Sequence, residues 1–562
     1  MIWRRNSGKI FFLAAMLFSF LPFFVQSADL KFFIDSSYDR TGRSEVKVFL
    51  HQVANHSNFY VEEDYYQNLD IEEKQKFSKN LNTLSKEFDE NIYPTLTRFL
   101  GSEWKPGIDN ENKITILLTQ LKSDMGGYFN EGDEYPRAQF AFSNEREMIY
   151  LNVDSVSSGL AKIYLSHEFV HLITFNWKNQ KYGISEEVWL NELRAELSST
   201  VLGYDSVYDG SNLQKRVRNF SQKIDDSLTE WRNESSDYGI INIFGQYLLD
   251  YYGINVLKDS LQSDKIGIES LNYALKKNNF SKTFIEIFTD WVVALVVNDC
   301  GVSPRYCYLN QNLKNLRVAP RINYLPSSGE SILTVTDYAK DWAGNWIKFI
   351  GGRGTLKIEF IGEENSVFKI PYLLRDSSGN YSFDFLTLDS FKRGTIFVTD
   401  FDKKYEFLIL MPFSFKKTSD FKGIEDYHKF MWSASMVNEN SEKQKEEEAK
   451  EIARLLALVD DLKLKLASVQ AKISTILAQK NSQDYACQKL DNNLYLGIKN
   501  SNEVKCLQNF LKSQGADVYP EGLVTGNYLS ATKGAVIRFQ EKYASEVLTP
   551  LGLSSGTGYV GL

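Results

Sequence analysis

His167-Glu168-Phe169-Val170-His171 is the stretch that most narrows what this chain can become. On an α-helix, residues four apart share one face. The two imidazoles can therefore reach one metal ion if the segment is helical. Glu168 then stands beside them, where it can take a proton from water held by that metal. The chain has 5 His, and two of them fall in this pattern, just before the apolar Leu172, Ile173 and Phe175. A pair of core or surface histidines is the plainer alternative. A hydrolytic zinc site takes three protein ligands and keeps one position open. A metzincin would need Gly at 174 and His at 177, but those positions hold Thr174 and Trp177. Residues 185–197 form a second helical pattern. Leu190, Leu193 and Leu197 lie on one side, and Glu192 and Glu196 share another. Glu192 is the candidate third ligand. Glu196, one turn on, can hold a ligand His by its second nitrogen. A solvated acidic face is the alternative for that pair.

Together with Asn191-Glu192-Leu193-Arg194-Ala195-Glu196, the histidine motif resembles the gluzincin metallopeptidases, whose pattern is HExxH with a later N-E-x-x-[SA]-[DE]. Residues 31–36, 143–152 and 189–192 are similar to the hyicolysin-like secreted peptidases, and the resemblance covers about residues 30–300. It implies His167, His171 and Glu192 as zinc ligands, Glu168 as general base and Glu196 as the acid behind a ligand His. The cofactor would be Zn2+ and the substrate a protein or peptide. Relatives stabilise the oxyanion with a downstream Tyr or His. No His is available there, so Tyr238 is the candidate, with simple packing as its alternative. In gluzincins the strand before the zinc helix is an edge that pairs with extended substrate. Residues 143–154, with Ile149 and Leu151 alternating against Tyr150 and Asn152, read as that strand or as a buried structural one. Residues 125–128, with Gly126 and Gly127, read as a flexible rim of the cleft or a turn.

Arg4, Arg5 and Lys9 precede an apolar run over residues 10–25, too short for a membrane span. Small residues follow, so a signal peptide cut after Ser27 is expected. An uncleaved anchor is the alternative. The export address implies a secreted, extracellular protein associated with the cell wall or periplasm. Its 4 Cys fall in two local pairs, Cys300 with Cys307 and Cys487 with Cys506. In an oxidising compartment these are expected disulfides. A net charge of −8, without a basic cluster in the mature chain, argues against nucleic acid as a partner.

A chain of 562 residues is too long for one domain. Residues 71–92 read as a helix ended by Pro94, and residues 113–118 as a buried strand. Strands ahead of the metal helices give an α+β order. Between 320 and 430, short strands separated by Gly, Ser and Asp turns suggest a β-sandwich, either a substrate-positioning module or a brace. A charged stretch at 437–451 leads into a heptad run, Ile452, Leu455, Val459, Leu462, Leu466, Val469, Ile473 and Ile476. That spacing is a coiled-coil seam, which can make a homodimer or fold back as a spacer. One amphipathic helix packed on a neighbour is the alternative. Near the C-terminus come the Val504, Leu507, Gln508 and Leu511 helix, the Val524-Thr525-Gly526-Asn527-Tyr528 turn and the Ala535, Val536, Phe539 and Gln540 helix. These resemble the peptidoglycan-binding domain, a small three-helix fold, although Leu529-Ser530 stands where family members often have Gly-Pro. The resemblance implies peptidoglycan as a partner. It puts Val504, Leu507, Phe510, Leu511, Val536 and Phe539 mostly in the core, and makes Gly526 a turn glycine.

The expected organisation is multidomain. A signal peptide (1–27) precedes an α+β, zincin-like metallopeptidase domain (28–310). A β-sandwich-like domain (320–430), a charged linker with a coiled-coil helix (437–480) and a peptidoglycan-binding-like three-helix domain (485–562) follow. The expected activity is that of a secreted zinc metalloendopeptidase tethered to the cell wall. The alternatives are a peptidoglycan hydrolase, or a non-catalytic exported adhesin or scaffold with a zinc site. Glu168 argues against the last, because a structural zinc is closed by four ligands and needs no base.

Overall fold

Apolar, β-branched segments between residues 31 and 152 build six strands in the computed structural model: β1 (Lys31–Phe33), β2 (Glu45–Val53), β3 (Ser57–Glu62), β4 (Ile114–Thr119), β5 (Gly127–Phe129) and β6 (Met148–Asn152). The structure describes residues 30–327, 332–437, most of 451–472, and 487–561 apart from 488. The expected signal peptide, most of the charged linker and the last two heptad positions, Ile473 and Ile476, lie outside the described residues. The strands form one mixed sheet in the order β1-β2-β3-β4-β6-β5. β3, β4 and β6 run parallel, and β5 is antiparallel to β6. β4 is buried along its whole length, as expected of a strand covered on both faces.

The helices that follow or interleave are α1 (Glu63–Asn68), α2 (Ile71–Glu87), α3 (Tyr93–Leu100), α4 (Val153–Ser158), α5 (Ala161–Phe175), α6 (Val188–Glu196), α7 (Ser198–Val201), α8 (Asn212–Gln222), α9 (Ser235–Leu261), α10 (Gly267–Lys277) and α11 (Phe284–Val297). Ile116, Leu118, Ile149 and Leu151 pack one sheet face against α2, α3 and α5. The other face is formed by Phe32, Val46, Val48, Leu117, Tyr128 and Tyr150.

Three local readings are corrected. Pro94 does not end a helix. α2 stops at Glu87, a π-helical stretch spans Phe88–Ile92, and Pro94 sits in the first turn of α3. In a first turn its missing N–H costs no hydrogen bond. The strand read over 143–154 is shorter, because Asn152 leaves the sheet and caps α4 with its side chain. β6 is also not an edge: the segment containing Gly127 is no turn but β5, paired along the outer side of β6.

Nine strands between Arg321 and Val437 make a second, sandwich-like sheet. Phe349 and Trp432 lie on strands that are not neighbours, yet their rings meet at 5.1 Å. The sheet therefore curls to enclose a core of Phe349, Ile358, Phe360, Leu408 and Trp432. A second core crosses from helices to strands. Trp342 packs on Phe284 and Phe288 at 4.8 and 5.4 Å, and Phe413 packs on Phe288 at 4.9 Å. Residues up to Val437 form one compact unit and residues from Asn438 another.

In the second unit, described residues of 451–472 are helical, with Ile452, Leu455, Leu462, Leu466 and Val469 exposed along them. Helices α12 (Asn502–Ser513) and α13 (Ser530–Lys542) enclose a core of Leu494, Val504, Leu507, Leu511, Tyr528 and Val536. Phe510 does not join the core as expected. It is 47% exposed and rests edge-on against Phe539. Gly526 has φ +78°, as a turn glycine should.

An internal repeat organises this unit. Gln508 Oε1 accepts from Thr525 N at 2.8 Å and Gly526 N at 2.9 Å, and Gln508 Nε2 donates to Asn527 O at 2.9 Å. On the next helix Gln540 Oε1 accepts from Thr557 N and Gly558 N, both at 2.9 Å, and its Nε2 donates to Tyr559 O at 2.8 Å. Each Gln lies 17 residues before the Thr of its Thr-Gly turn.

Disulfides join Cys300 to Cys307 and Cys487 to Cys506, the local pairing the spacing predicts. Among the described residues, no helix is long and apolar enough to cross a membrane.

Candidate metal centre

α5 is apolar on nearly every side, so packing buries it between the sheet and α6. Helical spacing then puts His167 and His171 on the side that meets α6, with their rings 4.9 Å apart. Leu190, Leu193 and Leu197 are fully buried, as the pattern predicts, and this fixes the rotation of α6. Glu192 thereby faces both histidines. His167 Nε2 stands 3.2 Å from Glu192 Oε2, and His171 Nε2 stands 3.5 Å from Glu192 Oε1. The donor atoms of His167, His171 and Glu192 all lie within 4.8 Å of one another.

The remaining imidazole nitrogens are occupied from behind. His171 Nδ1 lies 3.1 Å from Asn191 Oδ1, and His167 Nδ1 lies 3.5 Å from Glu196 Oε1. Glu196 is itself clamped by Arg216, whose Nε and Nη2 donate to its two oxygens at 2.6 Å each. Asn212 and Asn242 add donors at 3.1 and 3.3 Å. Burial opposes charge on Glu196, but Arg216 outweighs it and holds the carboxyl down at about 2. Burial likewise opposes protonation of His167, yet Glu192, Glu168 and Glu196 raise it to about 9. This is a pocket whose field favours a cation.

Glu168 is 7% exposed, and its carboxyl is raised chiefly by burial. The Phe129 N–H of β5 donates to it. At Gly127 a Cβ would sit 2.7 Å from Tyr150 O and 3.3 Å from Glu168 Cγ, so only glycine lets the edge strand run this close to the carboxylate.

Tyr238 lies in the first turn of α9. Its hydroxyl donates to Asn233 Oδ1 at 3.0 Å, and Arg216 lies over its ring at 4.6 Å. Burial raises its phenol, with Glu192, Glu196 and Glu168 adding to the effect, so it stands in the same field as the metal candidates. Gly239 lets α9 approach α8, since a Cβ there would meet Phe220 N at 2.4 Å.

Three residues of this pocket were not singled out from sequence. Asn191 is part of the motif and was legible as a partner for His171. Arg216 sits on a separate helix with no local signature. Tyr38, in the loop after β1, packs at a tilt against Tyr128 at 4.9 Å and feels the charges of Asp35, Glu168 and Glu192.

No family model and no curated protein matches this chain. Among solved structures, the pre-peptidase C-terminal domain of a Bacillus anthracis collagenase aligns with 21% of this chain and 94% of its own, at 11% identity and a TM-score of 0.15. A Yersinia pseudotuberculosis-derived mitogen aligns with 20% of this chain and 92% of its own, at 10% identity and a TM-score of 0.15. A family GH115 4-O-methyl-α-glucuronidase aligns with 58% of this chain and 52% of its own, at 6% identity and a TM-score of 0.13. Likenesses at these scores do not define a shared fold.

Proposed function

We propose that the protein is a secreted zinc metalloendopeptidase of the gluzincin type, with a zincin-like catalytic domain and a C-terminal three-helix module that tethers it to peptidoglycan. The observation that carries this reading is the convergence of His167, His171 and Glu192 with Glu168 beside them. Ligands at about 2.0–2.1 Å from a tetrahedral zinc stand about 3.3–3.4 Å apart. The His–Glu separations of 3.2 and 3.5 Å bracket that spacing. Buried Glu192 Oε2 makes no well-directed hydrogen bond, so it is free to bind a metal. The donor set suits zinc, which, when bound, would act as a Lewis acid and lower the pKa of water towards about 7.

The chain's own residues do the rest. Asn191 and Glu196 hold the two imidazoles by Nδ1 and leave Nε2 facing Glu192. Glu168 takes the proton of the attacking water and passes it to the leaving amine. Its burial raises its basicity towards that task. Tyr238 is the donor for the oxyanion, once substrate draws its hydroxyl from Asn233. An extended peptide adds to the free edge of β5 through main-chain hydrogen bonds. The exposed seam on 451–472 is a surface through which two copies can pair.

The test is hydrolysis of a quenched protein substrate by residues 28–562, untreated, after chelation, and after zinc is added back. Activity lost and then restored is expected. Cleavage that survives metal removal defeats the reading. Release of peptidoglycan fragments without proteolysis replaces it with the murein hydrolase.

A further inference from the structure

We infer that the β-rich segment is a working part of the candidate metal centre. Through the buried pair of Lys340 and Glu230 it fixes the loop 226–234, and that loop holds Tyr238 at the His–His–Glu group. Lys340, Glu230 and Trp231 are thus positioning residues for Tyr238. The use of Tyr238 as oxyanion donor rests on the peptidase reading.

Contacts place Tyr238 at the centre. Arg216 donates to the two oxygens of Glu196 at 2.6 Å each, and Glu196 Oε1 stands 3.5 Å from His167 Nδ1. The same guanidinium lies 4.6 Å from the middle of the Tyr238 ring. Two residues of the loop also touch Tyr238. Trp231 meets its ring edge to face, with centroids 4.9 Å apart, and Asn233 Oδ1 accepts from its hydroxyl at 3.0 Å. Asn233 has φ +62°, a left-handed conformation that asparagine tolerates better than most residues. Asp237 Oδ2 closes the turn around it by accepting from Arg232 N and Glu234 N, at 2.8 Å each. The course of the loop therefore sets the course of the tyrosine.

The loop is fastened on its other side to the β-rich segment. Leu228 N donates to Trp342 O at 3.0 Å, and Ser227 Oγ donates to Asp341 O at 2.7 Å. Asp341 is held in turn by Ser414 Oγ at 2.7 Å and Lys416 N at 2.6 Å, with His428 Nε2 3.0 Å from its Oδ2. Glu230 is 0% exposed, and Lys340, just after the strand Ile332–Ala339, is 6% exposed. Lys340 Nζ donates to both oxygens of Glu230, and Glu425 N adds a third donor at 2.6 Å. A carboxylate this deep is tolerable only with its cation, so the pair cannot drift apart as a surface pair does.

Glu230 and Trp231 are neighbours in the chain. The ion pair therefore sits one residue from the ring that braces Tyr238. Trp231 itself packs against the core that holds Trp342. A plain brace would serve stability alone. This one ends on a side chain of the site, so its loss should be read in kcat.

The experiment uses zinc-loaded residues 28–562 and a quenched protein substrate. Lys340→Met and Trp231→Ala are each made in the wild type and in Tyr238→Phe. In the wild type, each is expected to lower kcat about 10–100-fold with KM within about twofold and zinc affinity unchanged. In Tyr238→Phe neither should lower it further, because the interaction they serve is already gone. Trp231→Phe keeps a ring against Tyr238 and should recover most of kcat. Trp231 is half-buried, so its variants carry the test if Lys340→Met fails to fold. A 3-fluorotyrosine at position 238 adds a 19F resonance that needs no catalysis, and both variants are expected to shift or broaden it. Equal losses of kcat in the two backgrounds, or a matching loss of zinc affinity, overturn the inference in favour of a general brace. Wild-type kcat in both variants overturns it as well. A zinc-loaded wild type that cleaves nothing defeats the peptidase reading. The 19F resonance then decides the positioning alone, and one left unchanged by both variants overturns it.

Discussion

Glu168 and Arg216 both serve the same few atoms, but in ways that separate on measurement. On the proposed mechanism, Glu168→Gln keeps the shape and the candidate metal ligands and removes the proton acceptor. Zinc content should stay near one per chain while kcat falls by about 10²-fold or more. Turnover near the wild-type rate would exclude Glu168 as the base. Arg216→Met acts at a distance. Its two 2.6 Å hydrogen bonds hold Glu196, which holds His167. Loss of the arginine leaves the buried Glu196 carboxylate without its cation, held only by Asn212 and Asn242, next to a candidate ligand imidazole. Zinc affinity should drop about 10–100-fold, with Tm falling as well. Equilibrium zinc titration against a chromophoric chelator reads this directly, and an unchanged affinity would make Arg216 a packing residue only. The shared face of His167 and His171 was legible from spacing, because a helix converts an interval of four into one face, whereas Glu192 was a candidate by elimination and by the resemblance. Arg216 was not legible, since it approaches from α8 and no periodicity links it to α6. Tyr38 reaches the pocket from a loop for the same reason.

At the scale of elements, long periodic segments were readable and short ones were not. β4 announces itself as an apolar run, and α6 by Leu190, Leu193 and Leu197. β5 has three residues and opens on a glycine, so locally it looks like a turn, and only its register with β6 makes it a strand. The N-terminus of α6 offers a pH test. Buried Glu187 accepts from Trp189 Nε1 at 2.6 Å and from Asp420 N at 2.9 Å, which ties α6 to the β-rich segment. Burial raises its carboxyl from 4.5 to about 7 despite those donors. The folded state thus prefers the protonated form. That preference is worth up to about 3 kcal/mol, is fully present below pH 4.5, and is lost as pH rises through 7. Chemical denaturation at pH 5, 6, 7 and 8 should show stability falling more steeply in the wild type than in Glu187→Gln. Parallel slopes would mean that Glu187 is already charged.

At the scale of the whole molecule, the two compact units differ in what they need from their neighbours. Trp342, Phe413 and Phe421 belong to the core that also holds Trp189, Phe244 and Trp291. A fragment ending near residue 310 exposes that surface and should be recovered only as aggregate. The C-terminal segment has its own core and a disulfide that closes a loop with a sequence separation of 19. Residues 485–562 made alone should unfold in one cooperative step, and reduction should cost about 3 kcal/mol. In the oxidised state they should sediment with purified peptidoglycan. A fragment that folds but stays in the supernatant at every wall concentration removes the tether.

The Cys487–Cys506 bond also decides how this segment behaves under tension. Cys487 lies near the start of the segment, and Cys506 lies within α12. A pull along the chain from its N-terminal side does not peel residues 489–501 away from the end. It passes through the sulfur bridge into a helix whose Val504, Leu507 and Leu511 are locked in the core. If the segment is the proposed tether, shear in a flowing or growing wall would load the whole segment at once, and an oxidised linkage would make a grip that is hard to unzip.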